Sequence, residues 1–204
     1  FSYGKHRPAP EFIKVALMDA QEDLFWISNR MGFGLSPSEL VRYQSQDLSE
    51  IIQKRINPEK YGLEVPVGPF ENVDDLIPTD KDSPDFNRRV QAASLELLDL
   101  WLDEMRDTSD PVLEWMTFFW HDHFAVSGRE VKSLPALVRH LRLLRTYARG
   151  SYPTMLREVT IDPAMLIFLD GTENTARKPN ENYGRELLEL YSLGIGNYSE
   201  DDVL

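Results

Sequence analysis

Residues 83–106 read SPDFNRRVQAASLELLDLWLDEMR and carry the longest helical signal of this chain. The opening Ser83-Pro84-Asp85 is typical of a helix start, because serine and aspartate cap helices and proline is favoured in the first turn. Apolar residues then recur at the spacing of one helical face: Val90, Leu97, Leu98, Trp101 and Met105. The pattern predicts one long helix from Phe86 to Arg106.

Similar patterns of capping residues and first-turn prolines predict further helix starts. Ser36-Pro37-Ser38-Glu39 has the form of a capping box, in which the serine and glutamate side chains each bind the other residue's backbone N–H group. Asp110-Pro111 predicts a helix that runs to about Phe124, and Asp162-Pro163 predicts a short helix capped by Asp162 and stopped by Gly171. Convincing strand alternation is missing. We therefore expect an all-α fold, an irregular multi-helix domain with long connecting loops in which residues 1–204 form a single helical region.

The segment 57–82 has a different composition. Helix signals are few there, and it holds several residues that break helices: Pro58, Gly62, Pro66, Gly68, Pro69 and Pro78. We interpret it as a proline-rich surface connection, and irregular loops of this length are often functional or contact a partner.

Charge and hydropathy exclude some classes of protein. The net charge is −12, from 34 acidic and 22 basic side chains, which argues against a nucleic-acid partner because phosphate contacts need a basic surface. No run approaches the roughly 18 apolar residues that cross a bilayer, so no transmembrane segment is predicted. One basic group stands out, and we interpret it as a solvated helix face paired with the acidic excess: Arg139, His140, Arg142, Arg145 and Arg149.

Two histidines flank an aspartate in Trp120-His121-Asp122-His123-Phe124. On a strand both histidines would point the same way and could hold one metal ion, whereas on a helix they diverge by about 200°. The surrounding pattern is helical, and on a helix His121 shares a face with Glu114 and Thr117. Three interpretations stay open: histidines hydrogen-bonded in an aromatic core, ligands of a divalent metal, and acid–base groups that work without a metal.

A second polar group lies in the helical segment 180–191. Arg185, Glu186 and Glu189 fall on one stripe of this helix, and Glu181 lies four residues before Arg185. The stripe is either a solvated face or a buried ion network. If it is a buried network, Glu186→Gln should lower the free energy of unfolding by roughly 3–5 kcal/mol. Further polar side chains stand close to the helix start, where anions and ligands are favoured: Asp170, Asn180 and Asn182.

The chain ends shortly after another helix start. Ser199, followed three residues later by Asp202, resembles a capping box with aspartate in the glutamate position, and only two residues follow. We therefore expect this chain to be the N-terminal part of a larger domain.

Several of these segments together resemble the bacterial domain-of-unknown-function 1800 family. The resemblance rests on Trp120-His121-Asp122-His123-Phe124, on Asp162-Pro163-Ala164-Met165-Leu166 with Leu169-Asp170, on Pro179 to Leu190, and on Gly194 with Gly196-Asn197-Tyr198. An N-terminal Arg30 with Gly32-Phe33-Gly34 fits as well. Gly184 departs from the pattern, since the family more often has alanine there, and it should loosen the helix slightly. The resemblance implies a longer, often exported protein without a securely assigned reaction.

Two functions fit these observations. The first is an exported structural or assembly subunit, periplasmic or at the cell surface, that contacts a protein partner and is built around a buried His/Arg/Glu network. The alternative is a metal-assisted hydrolase or another enzyme whose site is completed by the missing C-terminal half. Its catalytic candidates are His121, His123, Arg185 and Glu186. The candidate ligands of a divalent metal are His121, His123, Glu181, Glu186 and Glu189, and the candidate binding residues are Asp170, Asn180 and Asn182.

Overall fold

The computed structural model describes residues 20–43, 46–177 and 180–203. Within these ranges it contains eleven α-helices and no strand, which confirms the all-α prediction. The helices are α1 (Ala20–Arg30), α2 (Pro37–Tyr43), α3 (Leu48–Ile56), α4 (Phe86–Asp107), α5 (Pro111–His123), α6 (Gly128–Val131), α7 (Leu134–Tyr147), α8 (Tyr152–Thr160), α9 (Pro163–Phe168), α10 (Asn182–Glu189) and α11 (Glu200–Val203). Three short 3₁₀ turns lie at Pro58–Tyr61, Asp74–Leu76 and Gly171–Glu173.

The predicted helix starts are confirmed. The backbone N–H of Ser36 donates to Glu39 Oε2 at 2.9 Å and the N–H of Glu39 donates to Ser36 Oγ at 3.3 Å, which is the reciprocal capping box. The long helix α4 begins at Phe86 and continues one residue beyond the predicted end. At the start of α5, Asp110 Oδ1 accepts from the N–H of Leu113 at 3.1 Å. Side-chain caps therefore fix the starts of α2 and α5, whereas the N-cap residue of α4, Asp85, makes no side-chain capping hydrogen bond.

The short helix α9 begins as predicted and ends differently. Asp162 Oδ2 accepts from the N–H groups of Ala164 and Met165 at 3.0 and 3.1 Å. The helix ends at Phe168, and Asp170 adopts the left-handed conformation with φ = 57°. Gly171 begins a 3₁₀ turn instead, so the prediction that Gly171 stops the helix is wrong.

Helix α7 lies at the centre of the fold and packs against α5, α6, α8 and α9. It contributes to both of the larger apolar clusters of the described residues. One cluster joins α7 to α4 and to the segment before it: Phe70, Val73, Ala93, Leu97, Trp101, Leu134 and Val138. The other joins α7 to α8, α9 and the chain after α10: Phe124, Leu144, Met155, Val159, Met165, Leu169 and Tyr191. Movement of α7 would therefore disturb both clusters.

The segment 57–82 is only partly a surface connection. Tyr61, Leu63, Val65 and Val67 are exposed, as predicted. Further along, the segment enters the core, and Phe70 packs edge-on against Trp101 with ring centroids 5.7 Å apart. The prediction is therefore wrong for the second half of this segment, whose apolar side chains cover α4 and α7.

Helices α10 and α11 approach each other closely at a glycine. A Cβ atom on Gly184 would lie 2.9 Å from the carbonyl oxygen of Val203, closer than such contacts allow. The predicted cap of α11 is present, since Ser199 N and Oγ lie 2.8 and 2.7 Å from Asp202 Oδ2. Gly184 thus provides the space for this contact, in addition to any loosening of α10.

None of the helices in the described part of the chain is both long enough and apolar enough to cross a membrane.

Candidate functional site

Helix α5 carries the histidine segment and presents two different faces. Glu114 and Thr117 lie on its inner face and are fully buried. His121 continues this face and is half-buried, as the helical spacing predicts. Phe118 and Phe119 lie on other sides of the helix and are 42% and 49% exposed. The inner face of α5 therefore combines polar groups with the apolar cluster of α4 and α7.

His121 lies in the wall of an open cavity of about 600 Å³ between α4, α5 and α7. Its ring stands edge-on to Trp101, with centroids 5.2 Å apart. Its Nδ1 atom is buried without a hydrogen-bond partner among the described residues. Burial lowers the pKa of His121, and the nearby His140 lowers it further, so the imidazole is neutral at pH 7. A neutral imidazole here can donate or accept one hydrogen bond to a molecule in the cavity.

His123 faces a different environment. Its Nε2 lies 3.4 Å from the hydroxyl of Tyr152, and its ring contacts Phe124 and Tyr191 with centroids 4.7 and 5.8 Å apart. Burial lowers its pKa as well. The cavity beside His121 is not lined by His123. The two histidines thus diverge as expected on a helix: His121 contacts the ring of Trp101, and His123 packs among several aromatic rings.

The polar stripe of α10 lies at the surface. Arg185 binds Glu200 through two hydrogen bonds of 2.8 Å, and its Nη2 lies 3.6 Å from Glu181 Oε2. The side chains of Glu200 and Glu181 are 72% and 45% exposed. Glu189 accepts a hydrogen bond from the hydroxyl of Tyr198. Glu186 makes no side-chain hydrogen bond or ion pair with a described residue, and its charge helps to raise the pKa of Tyr191. The prediction of a buried ion network around Arg185 is therefore wrong, because its partners are exposed carboxylates.

Asn180, Asn182 and Asp170 do come together, as a backbone clamp at the end of α9. Asn180 Nδ2 donates to the carbonyl oxygen of Asp170 at 2.9 Å, and Asn182 Nδ2 donates to that of Leu169 at 3.4 Å. Asn180 Oδ1 also accepts from the N–H of Asn182 at 2.9 Å. These amides join the start of α10 to the end of α9, and their hydrogen bonds account for their positions.

Buried ion pairs are present elsewhere, between α7 and its neighbours. Arg145 Nε donates to Glu114 Oε1 at 2.7 Å, and the two side chains are 10% and 0% exposed. Arg149 Nη2 lies 2.9 Å from Asp110 Oδ2, and this carboxylate is 4% exposed. These pairs were not predicted from the sequence, where Asp110 has only the pattern of a helix cap. A signal was available in the arginines that follow one another along one side of α7 and just beyond its end.

His140 makes a further buried contact of α7. Its Nδ1 lies 3.0 Å from Asp162 Oδ2, and its Nε2 lies 3.2 Å from the carbonyl oxygen of Phe124. His140 and Asp162 are each about 1% exposed. The interpretation of the α7 basic group as a solvated face is therefore wrong for His140 and for Arg145, although the pairing with acidic residues is confirmed. Arg139 is exposed as predicted.

The described residues contain no group of three or more histidine, aspartate or glutamate side chains placed to hold a metal ion. The five predicted ligands are therefore not assembled into one site: His121, His123, Glu181, Glu186 and Glu189. They are divided between the cavity wall, an aromatic cluster and the surface of α10.

The fold and the site define an all-α protein with an open cavity beside a half-buried histidine and buried ion pairs around a central helix. A family described as "Protein of unknown function (DUF1800)" matches residues 27–204, and the chain belongs to this family. The predicted resemblance is thereby confirmed. Comparisons with curated proteins and with solved structures each gave no match.

Proposed function

We propose that the protein is an exported structural or assembly subunit that binds another protein through a row of leucines on α4. This leucine row consists of Leu95, Leu98 and Leu102, which are 58%, 49% and 52% exposed. At 100° per residue the three side chains fall within about 60° of one another. Their exposure on one line of a helix is the observation that carries the proposal.

The opposite side of α4 is already covered. Ala93, Leu97 and Trp101 are buried against α7 and the segment before α4. An ordinary surface helix has one apolar stripe towards the core and a polar face towards water. The second apolar stripe on α4 therefore supports a contact with a further protein surface, and contiguous exposed apolar residues mark such contacts.

The energetics of this contact are moderate. Full burial of a leucine contributes roughly 1.5–3 kcal/mol, so three half-exposed leucines together contribute about 2–4 kcal/mol. The buried ion pairs of α7 support a structural role too, because they hold the surfaces beneath α4 in one arrangement. The acidic composition favours a partner with a basic rim around its own apolar patch.

A photo-crosslinking amino acid placed at Leu102 tests the proposal in the source organism. We expect one discrete crosslinked species, which disappears when Leu95→Glu is added. The matched control is the same crosslinker at Glu96, which is exposed on another side of α4. Equal crosslinking from both positions, or none from Leu102, contradicts the proposal. Protease accessibility of the protein in intact and permeabilised cells tests export separately.

An enzyme is the second candidate, and the observation that favours it is the state of His121. Its imidazole is neutral, as a base or a metal ligand needs to be, and the residue lines a cavity, although its unpartnered Nδ1 atom is itself buried. Metal analysis of the purified protein and of His121→Gln tests this candidate. Loss of one equivalent of metal in that variant, with none lost in His123→Gln, would support it.

A further inference from the structure

A groove runs along α4 towards α6 and α7, and it combines apolar walls with unpaired cations. It consists of two adjoining cavities of about 600 Å³ each, which share the lining residues Ser94, Gly128, Leu134 and Leu137. Volumes of 300–1,000 Å³ are typical of small-molecule sites. We refer to the two cavities together as the α4 groove.

The walls of the α4 groove are mainly apolar. One cavity is lined by Phe70, Leu97 and Trp101, and the other by Ile77, Phe86 and Val90. His121, whose imidazole is neutral, lies in the wall of the first cavity. Such walls favour an occupant with an alkyl or aromatic body, because its burial removes apolar surface from water.

The charged residues of the groove all have the same sign. Arg129 lines one cavity, and Lys81 and Lys132 line the other. None of these three makes an ion pair or a side-chain hydrogen bond with a described residue. Among the described residues no aspartate or glutamate lines either cavity, although the chain has 34 acidic and 22 basic side chains. A groove without carboxylates in so acidic a protein is complementary to an anion.

We propose that the α4 groove binds an amphiphilic carboxylate, with its alkyl chain against the apolar walls and its carboxylate near Arg129 and Lys132. Both cations belong to α6 or directly follow it, beside Gly128, which lines both cavities. A carboxylate beside Gly128 lies where the cavity of Arg129 meets that of Lys132, and the chain extends along α4. This binding site adjoins the partner contact proposed above, because Leu98 of the leucine row lines the groove, whereas Leu95 and Leu102 do not.

Calorimetric titration with decanoate, below its micelle concentration, tests the proposal. We expect saturable binding of decanoate and at least tenfold weaker binding of decan-1-ol, because the alcohol lacks the charge. In the variant Arg129→Gln/Lys132→Gln we expect decanoate affinity to fall at least tenfold, since both positive charges near the carboxylate are removed. Arg88→Gln/Arg106→Gln is the matched control, because these exposed arginines lie on α4 outside the groove.

A steric variant tests the position of the alkyl chain. Ser94 is exposed and lines both cavities, so Ser94→Trp should fill the groove and abolish decanoate binding without disturbing the core. Glu96→Trp, two residues away on α4 and outside the groove, should bind decanoate like the unchanged protein. Circular dichroism confirms that each variant is folded.

Three results would overturn the proposal. They are the lack of decanoate binding to the unchanged protein, equal binding of decanoate and decan-1-ol, and unchanged binding in Ser94→Trp. The crosslinking result at Leu102 does not depend on any of them, so failure of this proposal is distinguishable from failure of the partner contact.

Discussion

Removing Arg145 should destabilise the protein far more than removing an exposed arginine. Arg145 is the partner of Glu114, whose carboxylate is fully buried and whose Oε2 has no hydrogen bond in the described part of the chain. Arg145→Met leaves this carboxylate without a counter-charge. Breaking a buried pair by removing one member costs about 3–5 kcal/mol. Arg145 also donates to the carbonyl oxygen of Pro66 at 3.0 Å, and a hydrogen bond to a charged group contributes about 1.5–3 kcal/mol.

A double variant separates these two contributions. In Glu114→Leu/Arg145→Met the unpaired carboxylate is gone, and apolar replacement of a whole buried pair is often neutral or stabilising. The free energy of unfolding of the double variant should therefore be lower than that of the unchanged protein by only about 1.5–3 kcal/mol, the contribution of the lost hydrogen bond to Pro66. The single and double variants thus differ in the penalty of the isolated Glu114 charge.

The pH dependence gives an independent check of the same reasoning. Burial raises the pKa of Glu114, and the charge of Arg145 lowers it partly back. Without Arg145 the pKa rises further, so the folded state of Arg145→Met holds a proton that the unfolded state has lost. The protonated Glu114 carboxyl group therefore contributes its full stabilisation of this variant below the ordinary pKa of 4.5. That contribution is lost as the pH rises through the raised pKa of Glu114 in the folded state. The cost of Arg145→Met should be larger at pH 8 than at pH 5.

Urea unfolding followed by circular dichroism measures these free energies. Arg106→Met is the control, because Arg106 pairs only with exposed aspartates, and it should not change the midpoint measurably. The reasoning is refuted if Arg145→Met lowers the free energy of unfolding by less than about 1 kcal/mol. It is also refuted if the double variant loses as much free energy of unfolding as the two single variants lose together.

Three further predictions follow from individual contacts. Gly184→Ala should destabilise the protein by about 1–3 kcal/mol, because its Cβ would meet the Val203 carbonyl at 2.9 Å, whereas helix propensity alone predicts stabilisation; thermal unfolding gives the sign. Burial lowers the pKa of His121 below 6.5, so its contribution to stability is present above pH 6.5 and is lost as pH falls towards the lowered value; the unfolding free energy of His121→Gln should fall less on acidification, measured from pH 7.5 to 5. Asp110→Asn should keep part of the α5 cap and lose the charge of the pair with Arg149, so it should be more stable than Asp110→Ala, and urea unfolding compares the two.

The helix starts were predictable because their causes are local. Serine, aspartate and proline act on N–H groups two or three residues away, so the capping box at Ser36 and the cap at Asp162 are legible in the sequence. The end of α9 was less legible. Both Asp170 and Gly171 can adopt a left-handed conformation, and the amide of Asn180, ten residues away, binds the Asp170 carbonyl. A contact of that range decides between neighbouring residues.

The histidine and α10 segments show how far a helical wheel can lead. Spacing correctly separated His121 from His123 and placed Arg185 on a stripe with carboxylates. It did not reveal whether that stripe is covered, because coverage depends on other parts of the chain. Arg185 forms ion pairs with two exposed carboxylates, those of Glu181 four residues before it and of Glu200 at the start of α11. The buried pair of Arg145 instead joins residues 31 positions apart, on different helices.

The segment 57–82 explains why part of the basic face of α7 is buried in so acidic a protein. This segment enters the core without regular secondary structure around residues 66–71, so its carbonyl groups need hydrogen-bond donors from elsewhere. Arg142 Nε donates to the Phe70 carbonyl at 2.6 Å, and Arg145 donates to that of Pro66. Arginine suits this position, since its several donors bind a carbonyl and a carboxylate at once, as Arg142 also does with Asp74. The irregular segment and the arginines of α7 therefore require each other, and a lysine at position 145 should not replace both contacts.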